Sequence, residues 1–461
     1  MQVLVLGLGR TGIGLVRYCL SRGDEVLVYD QDQSVWSRDS VRELLLQGAR
    51  IWDGQPGRIE IAVASPGIRD DAKPIRLLRE HGLEVIDEIE FGYRVVGHKI
   101  VAVTGRNGKS TTTTLLGEIC RASGMRAFFG GNLAPGLPFS VALSGKPQDI
   151  YVLEVSTFQL ERCVEFAPRI GVLLNITPDH FDRHGGLEHY VELKFKLFRN
   201  QTRDDFAIVN LDDERINSRL KSIPGTVVGF STMSNRADAR IECGVLVFRG
   251  EPILSVEELR IPGRHNLANA LAATAAARVL GIGTEPIGGV LRSFCGIEHR
   301  LETVASIRGV RFVNNSACTN PAAAVASLLA FEQPIVLIMG GREKGLPLES
   351  MYQAIAERAK AVVLLGESSS RLAQDLGKTD VRCPIFVEAE LRPAVSRAQA
   401  LAEPGDVVLF SPGFASFDCY RNFQDRGEAF RQVVRDLAQD NARPNALPQG
   451  PAPDQRASPL A

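Results

Sequence analysis

A glycine-rich stretch of the chain, Thr104-Gly-Arg-Asn-Gly-Lys-Ser110, carries residue types that can bind a phosphate group. Gly105 and Gly108 let backbone N–H groups approach an anion closely, and Lys109 supplies a cation. In such a loop Ser110 is the Mg²⁺ ligand. Val103 stands where the full phosphate-loop pattern has its first glycine, so an ordinary strand–turn–helix corner is the alternative interpretation.

A carboxylate follows another predicted strand of the same region. The strand Ile150–Glu154 ends on an acid, and ligands of open α/β sheets lie at the carboxyl ends of strands. Glu154 is therefore a candidate for a second Mg²⁺ ligand, or alternatively a cap for the next helix. The next strand leads into a loop that crowds four polar groups together and is a candidate site: His180, Asp182, Arg183 and His184.

Two predicted helices add further polar groups to this region. Lys194 can bind phosphate directly, or it can be carbamylated and act as a carboxylate. An Ala-rich helix opens near Gly263, and Asn266 and Asn269 share one face of its first turn. These two amides could contact a nucleotide base.

A second glycine-rich turn lies close to the start of the chain. Gly7-Leu-Gly-Arg-Thr-Gly12 connects a short apolar strand to a helical pattern, and the next strand ends on Asp30. This pattern is the dinucleotide-binding fingerprint and invites a dehydrogenase hypothesis, although another diphosphate ligand would use the same turn. Ser65 and Gly67 follow a further strand, where their amides could also face a phosphate.

Three strands of the C-terminal region end in loops that offer hydroxyl, amide, lysine or aromatic groups. The strands lie at Val310–Asn314, 334–341 and Val407–Phe410. Loops of this kind predict a pocket for a small anionic substrate.

The elements that must position these residues alternate between strands and helices, which predicts parallel α/β sheets. The chain of 461 residues is too long for a single core. We expect three domains, at residues 1–95, 96–297 and 298–437, followed by a disordered tail at 438–461 that is rich in Pro, Ala, Gln and Asn.

Composition excludes several classes of protein. A net charge of −1 gives no support to binding of nucleic acid or of an anionic membrane surface. We expect no signal peptide, because the start lacks a basic segment, and no membrane-spanning segment, because every apolar run is too short. Eight scattered cysteines without a C-x-x-C pair suggest reduced thiols and a cytoplasmic location.

Taken together and in order, the motifs resemble those of the Mur ligases of peptidoglycan synthesis, over about residues 1–437. A run near the C-terminus is similar to the glutamate-adding branch of that family. The motifs are Thr104-Gly-x-Asn-Gly-Lys-Ser, Glu154-x-Ser-x-Phe-Gln-Leu, Asn175-x-Thr-x-Asp-His-x-Asp, Tyr190-x-x-x-Lys194, Gly263-x-His-Asn-x-x-Asn, His299-Arg300 and Ser411-Pro-x-x-Ala-Ser-x-Asp.

The resemblance implies a UDP-binding Rossmann-like domain, a central phosphate-loop ATPase domain and a C-terminal Rossmann-like domain that binds the amino acid. It implies ATP-dependent addition of glutamate, expected as the D-enantiomer, to UDP-N-acetylmuramoyl-L-alanine through an acyl phosphate. Two Mg²⁺ ions and a monomeric protein are expected. The first glycine-rich turn would then bind the uridine diphosphate and not NAD.

Roles for individual residues follow from the same resemblance. The UDP substrate would contact Gly7, Leu8, Gly9, Arg10, Thr11, Asp30, Ser65, Pro66, Gly67, Asn132 and Ser156. ATP would contact Gly105, Asn107, Gly108, Lys109, Ser110, Thr111, Asn269, Arg300 and Asn315. Mg²⁺ would be held by Ser110, Glu154, His180 and a carbamylated Lys194, which with Lys109 form the expected catalytic set. Glutamate would contact Thr319, Lys344, Ser416 and Phe423.

One loop departs from the family's pattern. Asn315 stands where the family usually has an acid, Ala317 where it often has a lysine, and Cys318 where it has an alanine. A neutral amide should bond a ribose hydroxyl more weakly than a carboxylate does. A paralogous ligase for another amino acid such as L-glutamate, or a nucleotide-binding protein without ligase activity, is therefore an alternative.

Overall fold

The computed structural model describes residues 1–133, 136–176, 186–261, 263–343 and 345–442. The chain divides into two compact units, Met1–Cys295 and Gly296–Ala461. The described residues form three sheets, two in the first unit and one in the second. Most strand pairs are parallel, so the predicted α/β fold class is confirmed.

The first sheet has five parallel strands in the order β3-β2-β1-β4-β5. Its buried strands present Val, Leu, Ile and Ala side chains to apolar clusters on both faces. The strands are β1 Gln2–Leu6, β2 Glu25–Tyr29, β3 Arg50–Ile51, β4 Ile61–Ala64 and β5 Val85–Ile86. The helices are α1 Arg10–Ser21, α2 Asp39–Leu46, α3 Lys73–Glu80 and α4 Glu88–Val96, with a 3₁₀ helix at Gln33–Ser37.

The second sheet has nine strands in the order β14-β13-β12-β11-β10-β9-β6-β8-β7. The strands are β6 Ile100–Thr104, β7 Ala127–Gly131, β8 Ile150–Glu154, β9 Ile170–Leu173, β10 Phe206–Asn210, β11 Thr226–Phe230, β12 Ala239–Glu242, β13 Val245–Phe248 and β14 Glu251–Ser255. The helices are α5 Lys109–Ala122, α6 Phe139–Leu143, α7 Thr157–Glu161, α8 Leu187–Phe195, α9 Glu214–Asn217, α10 Arg264–Val279 and α11 Thr284–Ser293, with 3₁₀ helices at Lys196–Phe198, Leu220–Ser222 and Val256–Glu258.

The third sheet has six strands in the order β15-β16-β20-β17-β18-β19. The strands are β15 Glu302–Ile307, β16 Val310–Asn314, β17 Ile335–Met339, β18 Ala359–Leu364, β19 Ile385–Val387 and β20 Val407–Phe410. The helices are α12 Pro321–Leu328, α13 Glu349–Arg358, α14 Ser369–Leu376, α15 Leu391–Leu401 and α16 Phe423–Ala442.

The last helix corrects one prediction. The disordered tail was predicted from residue 438, but α16 continues to Ala442. Phe430 and Val434 lie on the buried face of this helix, in an apolar cluster against the third sheet. The helix therefore runs past the predicted boundary because its apolar face is anchored in the core. Residues 443–461 lie outside the described part of the chain.

The sheet order determines where ligands can bind. β1 lies between β2 and β4, and β6 lies between β8 and β9, so the chain leaves each of these two strands at a topological switch point. Crevices at the carboxyl ends of such strands are the usual ligand sites of open α/β sheets. Both glycine-rich turns follow these two strands directly. None of the helices in the described part of the chain is both long and apolar enough to cross a membrane.

Candidate active site

The phosphate loop connects β6 to α5, and its backbone requires glycine at two positions. Gly105 has φ +153° and Gly108 has φ +84°. Residues that carry a side chain rarely adopt these values, whereas glycine does so readily. A Cβ atom at Gly108 would lie 2.1 Å from Asn269 Oδ1, at the start of α10. The predicted nucleotide residue Asn269 thus packs directly against the loop.

Asn175, just beyond β9, fixes the shape of this loop. Its Oδ1 accepts hydrogen bonds from the backbone N–H groups of Arg106 and Asn107, each at 2.9 Å. Its Nδ2 donates to the carbonyl oxygen of Asn107 at 3.0 Å. In the sequence Asn175 is part of a motif, but its contact with the loop was not predicted. A polar residue after a strand that neighbours β6 was the signal that could have identified it.

Beneath the loop, a hydroxyl and a carboxylate meet in a buried position. Ser110 Oγ donates to Glu154 Oε2 at 2.7 Å, and Asn132 Nδ2 lies 3.4 Å from Glu154 Oε1. Val103 and Glu154 are partners in the β6–β8 register, which places the end of β8 beside the loop. Two hard oxygens held together fit Mg²⁺, which takes its remaining ligands from phosphates and water.

The predicted metal ligand His180 cannot be placed in this arrangement. It lies outside the described residues, together with Asp182, Arg183 and His184. Over the described ranges, no group of three His, Cys, Asp or Glu side chains forms a metal site by itself.

Two lysines reach the same backbone carbonyl from different helices. Lys109 Nζ donates to the carbonyl oxygens of Gly105 at 3.1 Å and Arg106 at 2.9 Å. Lys194 is 2% exposed, and its Nζ donates to the Gly105 carbonyl oxygen at 2.9 Å. The same ammonium lies 4.6 Å from the ring centroid of Tyr190. The site therefore concentrates positive charge where phosphate oxygens would lie.

A cavity of about 190 Å³ opens beside these groups. Ser156 contributes to it as the N-cap of α7, in a capping box with Gln159. The lining residues are Gly105, Arg106, Lys109, Asn132, Ser156, Thr157, Phe158, Tyr190 and Lys194. Thr111 lies in the first turn of α5 and is partly buried. Residues that were selected from separate motifs thus surround one cavity.

The first glycine-rich turn is closed by an acid. Gly7 has φ +91°, and a Cβ atom at Gly12 would lie 1.9 Å from the Gly7 carbonyl oxygen. Asp30 Oδ2 accepts from the backbone N–H of Leu8 at 2.7 Å, and its Oδ1 accepts from that of Asp32 at 2.9 Å. Asp30, which was expected to contact the UDP substrate, is therefore also the residue that shapes the turn.

Neighbouring segments hold this turn from two sides. Ser65 Oγ donates to the Gly7 carbonyl oxygen at 3.2 Å. Pro66 follows partly buried, whereas Gly67, Gly9 and Arg10 are exposed. Arg10 Nη2 donates to the Gly136 carbonyl oxygen, and Ser140 Oγ donates to that of Thr11 at 3.0 Å. Within the first unit, the segment after β7 thus contacts the turn after β1.

In the second unit, the Asn315 amide is engaged by the protein at both ends. Its Nδ2 donates to Ser411 Oγ at 3.1 Å, and its Oδ1 accepts from the backbone N–H of Leu301 at 3.2 Å. Asn315 is 5% exposed. Arg300 is exposed, and the residues on either side of it, His299 and Leu301, have φ of +60° and +46°. Such strained backbone often marks a functional segment.

Of the residues expected to contact the substrate glutamate, Thr319 follows β16, Ser416 follows β20, and Phe423 is the first residue of α16. Thr319 lines a small cavity together with Glu343, Gly345 and Phe414. Ser416 is buried, and Phe423 packs edge-on against His299 with ring centroids 6.5 Å apart. Lys344 lies outside the described residues.

Cys318 is a packed residue of the apolar cluster beneath this loop. It is 2% exposed, and burial raises the pKa of its thiol. The thiol is therefore protonated and fills space at neutral pH.

Two buried arginines were not predicted from the sequence. Arg426 donates to Ser316 Oγ at 3.1 Å and to the carbonyl oxygens of Ser316 and Phe414, each at 3.0 Å, and burial lowers its pKa to about 10. Arg162 contacts Asp70 and the loop that contains Ser65. In a sequence, a charged residue predicts a surface position. Only the folded structure shows that Arg162 and Arg426 are buried.

Comparison with known proteins gives three family matches. The Mur ligase MurD-like N-terminal domain matches residues 1–87, and the Mur ligase middle domain matches residues 103–277. The glutamate ligase domain of Mur ligases matches residues 299–414.

Curated relatives match almost the whole chain. The UDP-N-acetylmuramoylalanine–D-glutamate ligase of Pelotomaculum thermopropionicum is 38% identical over 446 residues, covering 95% of this chain and 98% of its own length. The enzyme of the same name from Acidobacterium capsulatum is 37% identical, covering 94% and 96%. Among solved structures, the UDP-N-acetylmuramate–alanine ligase of Thermotoga maritima is similar in fold, with a TM-score of 0.54 at 18% identity over 95% of this chain and 100% of that one.

Proposed function

We propose that this chain, which belongs to the Mur ligase family, is the ATP-dependent ligase that joins D-glutamate to UDP-N-acetylmuramoyl-L-alanine in peptidoglycan precursor synthesis. Support comes from relatives of that name, which match this chain at 36–38% identity over nearly its full length. The reaction forms an amide from a carboxylate and an amine, and it converts ATP to ADP and phosphate.

The observation that carries the proposal is the cavity beside the phosphate loop. It brings Lys109 and Lys194 together with Asn132 and Ser156, which were expected to contact the UDP substrate. A phosphate donor held by Lys109 and an acceptor carboxylate held by the polar side chains would meet there, beside Lys194. Phosphoryl transfer depends mainly on such positioning and on charge neutralisation.

In the first step, a carboxylate oxygen of the substrate attacks the γ-phosphorus of ATP, which gives an acyl phosphate and ADP. The loop amides, shaped by Asn175, would hold the phosphates of ATP. Lys109 would neutralise charge that develops on the transferred phosphoryl group. Tyr190, with its ring under the Lys194 ammonium, would keep that side chain directed into the cavity.

In the second step, the glutamate amine attacks the acyl carbon. The tetrahedral intermediate collapses, the phosphate leaves with one former carboxylate oxygen, and the amine loses its proton. Thr319, Ser416 and Phe423, together with Lys344, would bind the glutamate. A cationic Lys344 near a side-chain carboxylate would select an acidic amino acid.

Ser110 and Glu154 supply the oxygens that fit Mg²⁺, and we propose them as ligands with His180. When bound, two Mg²⁺ ions would neutralise phosphate charge. Carbamylation of Lys194 would replace its positive charge with a carboxylate and still leave one N–H group on Nζ. That N–H can keep the bond that Nζ now donates to the Gly105 carbonyl oxygen.

Phosphate release from purified protein tests the proposal. ATP, UDP-N-acetylmuramoyl-L-alanine and D-glutamate together should release phosphate, whereas omission of any one of them should abolish the release. L-glutamate in place of D-glutamate should give no release. Release with L-glutamate alone would contradict the stereochemical assignment, and no release with any amino acid would contradict the ligase assignment.

We also propose a monomeric, cytoplasmic enzyme. All eight cysteines are free thiols, which supports a reducing compartment. A single species near the chain mass of 50.2 kDa in light scattering is the expected result.

A further inference from the structure

We propose that Arg162 is a positioning residue that holds the loop 65–68, which we call the substrate loop, against the ATP-binding part of the first unit. Assignment of this loop to the UDP substrate rests on the proposed function. The attachment of Arg162 to the loop is argued from hydrogen bonds of the structure alone.

The Arg162 guanidinium contacts the substrate loop at two points and Asp70, just beyond the loop, at a third. Nε donates to Asp70 Oδ1 at 2.8 Å, and Nη1 donates to the Ser65 carbonyl oxygen at 3.3 Å. Nη2 donates to the Ile68 carbonyl oxygen. The side chain is 1% exposed. Both ends of the substrate loop are therefore bonded to a single side chain that lies more than ninety positions further along the chain.

The ion pair with Asp70 makes this burial feasible. A buried guanidinium without an opposite charge is costly, and Asp70 provides that charge. Burial acts to raise the Asp70 pKa, but hydrogen bonds from Arg79 and Arg162 outweigh it and keep the pKa below its ordinary value. Asp70 Oδ2 accepts from Arg79 at 2.9 Å, at a position where both side chains are 46% exposed. Asp70 thus has one buried and one exposed arginine partner.

Helix α7 connects Arg162 to the cavity beside the phosphate loop. Its N-cap Ser156 lines the cavity, and its C-cap is Arg162. The capping box of Ser156 and Gln159 fixes the N-terminal end of the helix. One short helix therefore ties the substrate loop to the wall of the cavity where the acceptor carboxylate would be phosphorylated.

A reciprocal contact holds the segment that follows α7. Glu90, a fully buried residue of α4, accepts from the backbone N–H groups of Val164 at 3.0 Å and Phe166 at 2.9 Å. Helix α4 thus holds the segment after Arg162, while Arg162 holds the loop that follows β4. This double attachment is the reason that we expect loss of Arg162 to displace only the substrate loop.

The experiment compares Arg162→Lys with Arg79→Met. Lysine keeps the charge, but its single ammonium cannot reach three acceptors in a fork arrangement. Arg79→Met removes the other partner of Asp70 and touches neither carbonyl of the substrate loop. We expect Arg162→Lys to raise the KM for UDP-N-acetylmuramoyl-L-alanine by about tenfold, as loss of about 1.4 kcal/mol of binding would do. The KM for ATP should stay unchanged, and Arg79→Met should behave as wild type in both.

Hydrogen–deuterium exchange of the same proteins separates this proposal from the proposed function. We expect faster exchange at residues 65–70 in Arg162→Lys but not in Arg79→Met, whether or not the wild type releases phosphate. Unchanged exchange in Arg162→Lys would overturn the proposal. Faster exchange with equal changes in both KM values would also overturn it, because the residue would then be merely structural. A wild type without ligase activity would contradict the proposed function only.

Discussion

The two glycine-rich turns of the first unit share a backbone design and differ in the charges around it. Each follows a strand that pairs in parallel with both of its neighbours at a switch point, and each opens a helix, α1 or α5. Gly7 and Gly108 have positive φ in the two turns. The backbone alone would assign both turns to phosphate binding.

The groups that close the turns set them apart. The first turn is closed by the Asp30 carboxylate, and Arg10, a cation of the turn itself, is exposed. The second is closed by the neutral amide of Asn175. It lies beside Lys109, Lys194 and the buried Ser110–Glu154 pair. The backbone motif determines where a phosphate binds, whereas side chains from neighbouring strands decide whether a phosphate reacts there.

Replacing one cation of each turn by alanine should give the largest difference in kcat between the two turns. Lys109→Ala should lower kcat by about a thousandfold, because a charge contact to the transferred phosphoryl group is lost. Arg10→Ala should raise the KM for the UDP substrate by at most about tenfold and leave kcat nearly unchanged. Steady-state phosphate release measures both. Equal losses of kcat in the two variants would remove the distinction between a binding turn and a reactive turn.

Lys194→Ala should lower activity by about a hundredfold or more, because the buried side chain beside Gly105 that would carry the proposed carbamate is lost. Short carboxylic acids should restore part of the activity by replacing the proposed carbamate, whereas bicarbonate should not. Lys196→Ala is the matched control, since Lys196 Nζ instead donates to the Glu161 carbonyl oxygen at 2.8 Å. Full activity of Lys194→Ala without any additive would refute the carbamate role.

Alanine at one glycine of each turn should act on different ligands. Gly108→Ala introduces a side chain at φ +84° and 2.1 Å from Asn269 Oδ1, so calorimetry should show ATP binding weakened by about tenfold or more. Gly9 has φ −75°, and a Cβ atom added there would have no atom of the described residues within 4 Å. Gly9→Ala should therefore change the free energy of unfolding by less than about 0.5 kcal/mol. It should weaken binding of the UDP substrate and leave binding of ATP unchanged. Weakened ATP binding in Gly9→Ala would contradict the assignment of the two turns.

The smallest effect is expected at Asp87, the N-cap of α4. Burial raises the pKa of this carboxyl, and the described residues give its Oδ2 no hydrogen-bond partner. Because its folded pKa lies above the unfolded value of about 3.9, its contribution to stability is present below that value and is lost as pH rises through the folded pKa. Asp87→Asn keeps an acceptor for the Ile89 N–H and should raise the thermal midpoint at pH 7 by about 2 °C.

That gain should shrink as the pH is lowered toward 4, where the wild-type carboxyl becomes protonated in both states. An Asp87→Asn variant that is less stable than wild type at neutral pH would show that the carboxylate is charged and useful in the fold.

Sequence predicted the parts of this molecule that local patterns determine. Apolar runs that end in glycine or polar residues predicted the parallel sheets, and the carboxyl-end rule placed Glu154 and Lys109 at one sheet edge. The structure brings these residues together with Ser110 and Lys194. The roles of the individual residues in binding and catalysis stay predictions.

Partners distant in the chain could not be predicted in this way. Arg162 and Arg426 are buried by packing that no local period encodes. Residue type did not locate the two-residue turns at Cys243-Gly244 and Arg308-Gly309. Both residues of each turn have positive φ, and cysteine and arginine favour that conformation less than Asn or Asp does.

The path of one oxygen atom tests the central claim most directly. UDP-N-acetylmuramoyl-L-alanine with both oxygens of its alanyl carboxylate labelled with ¹⁸O should be turned over with unlabelled ATP and D-glutamate, and the released phosphate analysed by mass spectrometry. If the γ-phosphate is transferred to the carboxylate, the phosphate leaves with one ¹⁸O atom. Unlabelled phosphate from a complete turnover would contradict the acyl-phosphate route.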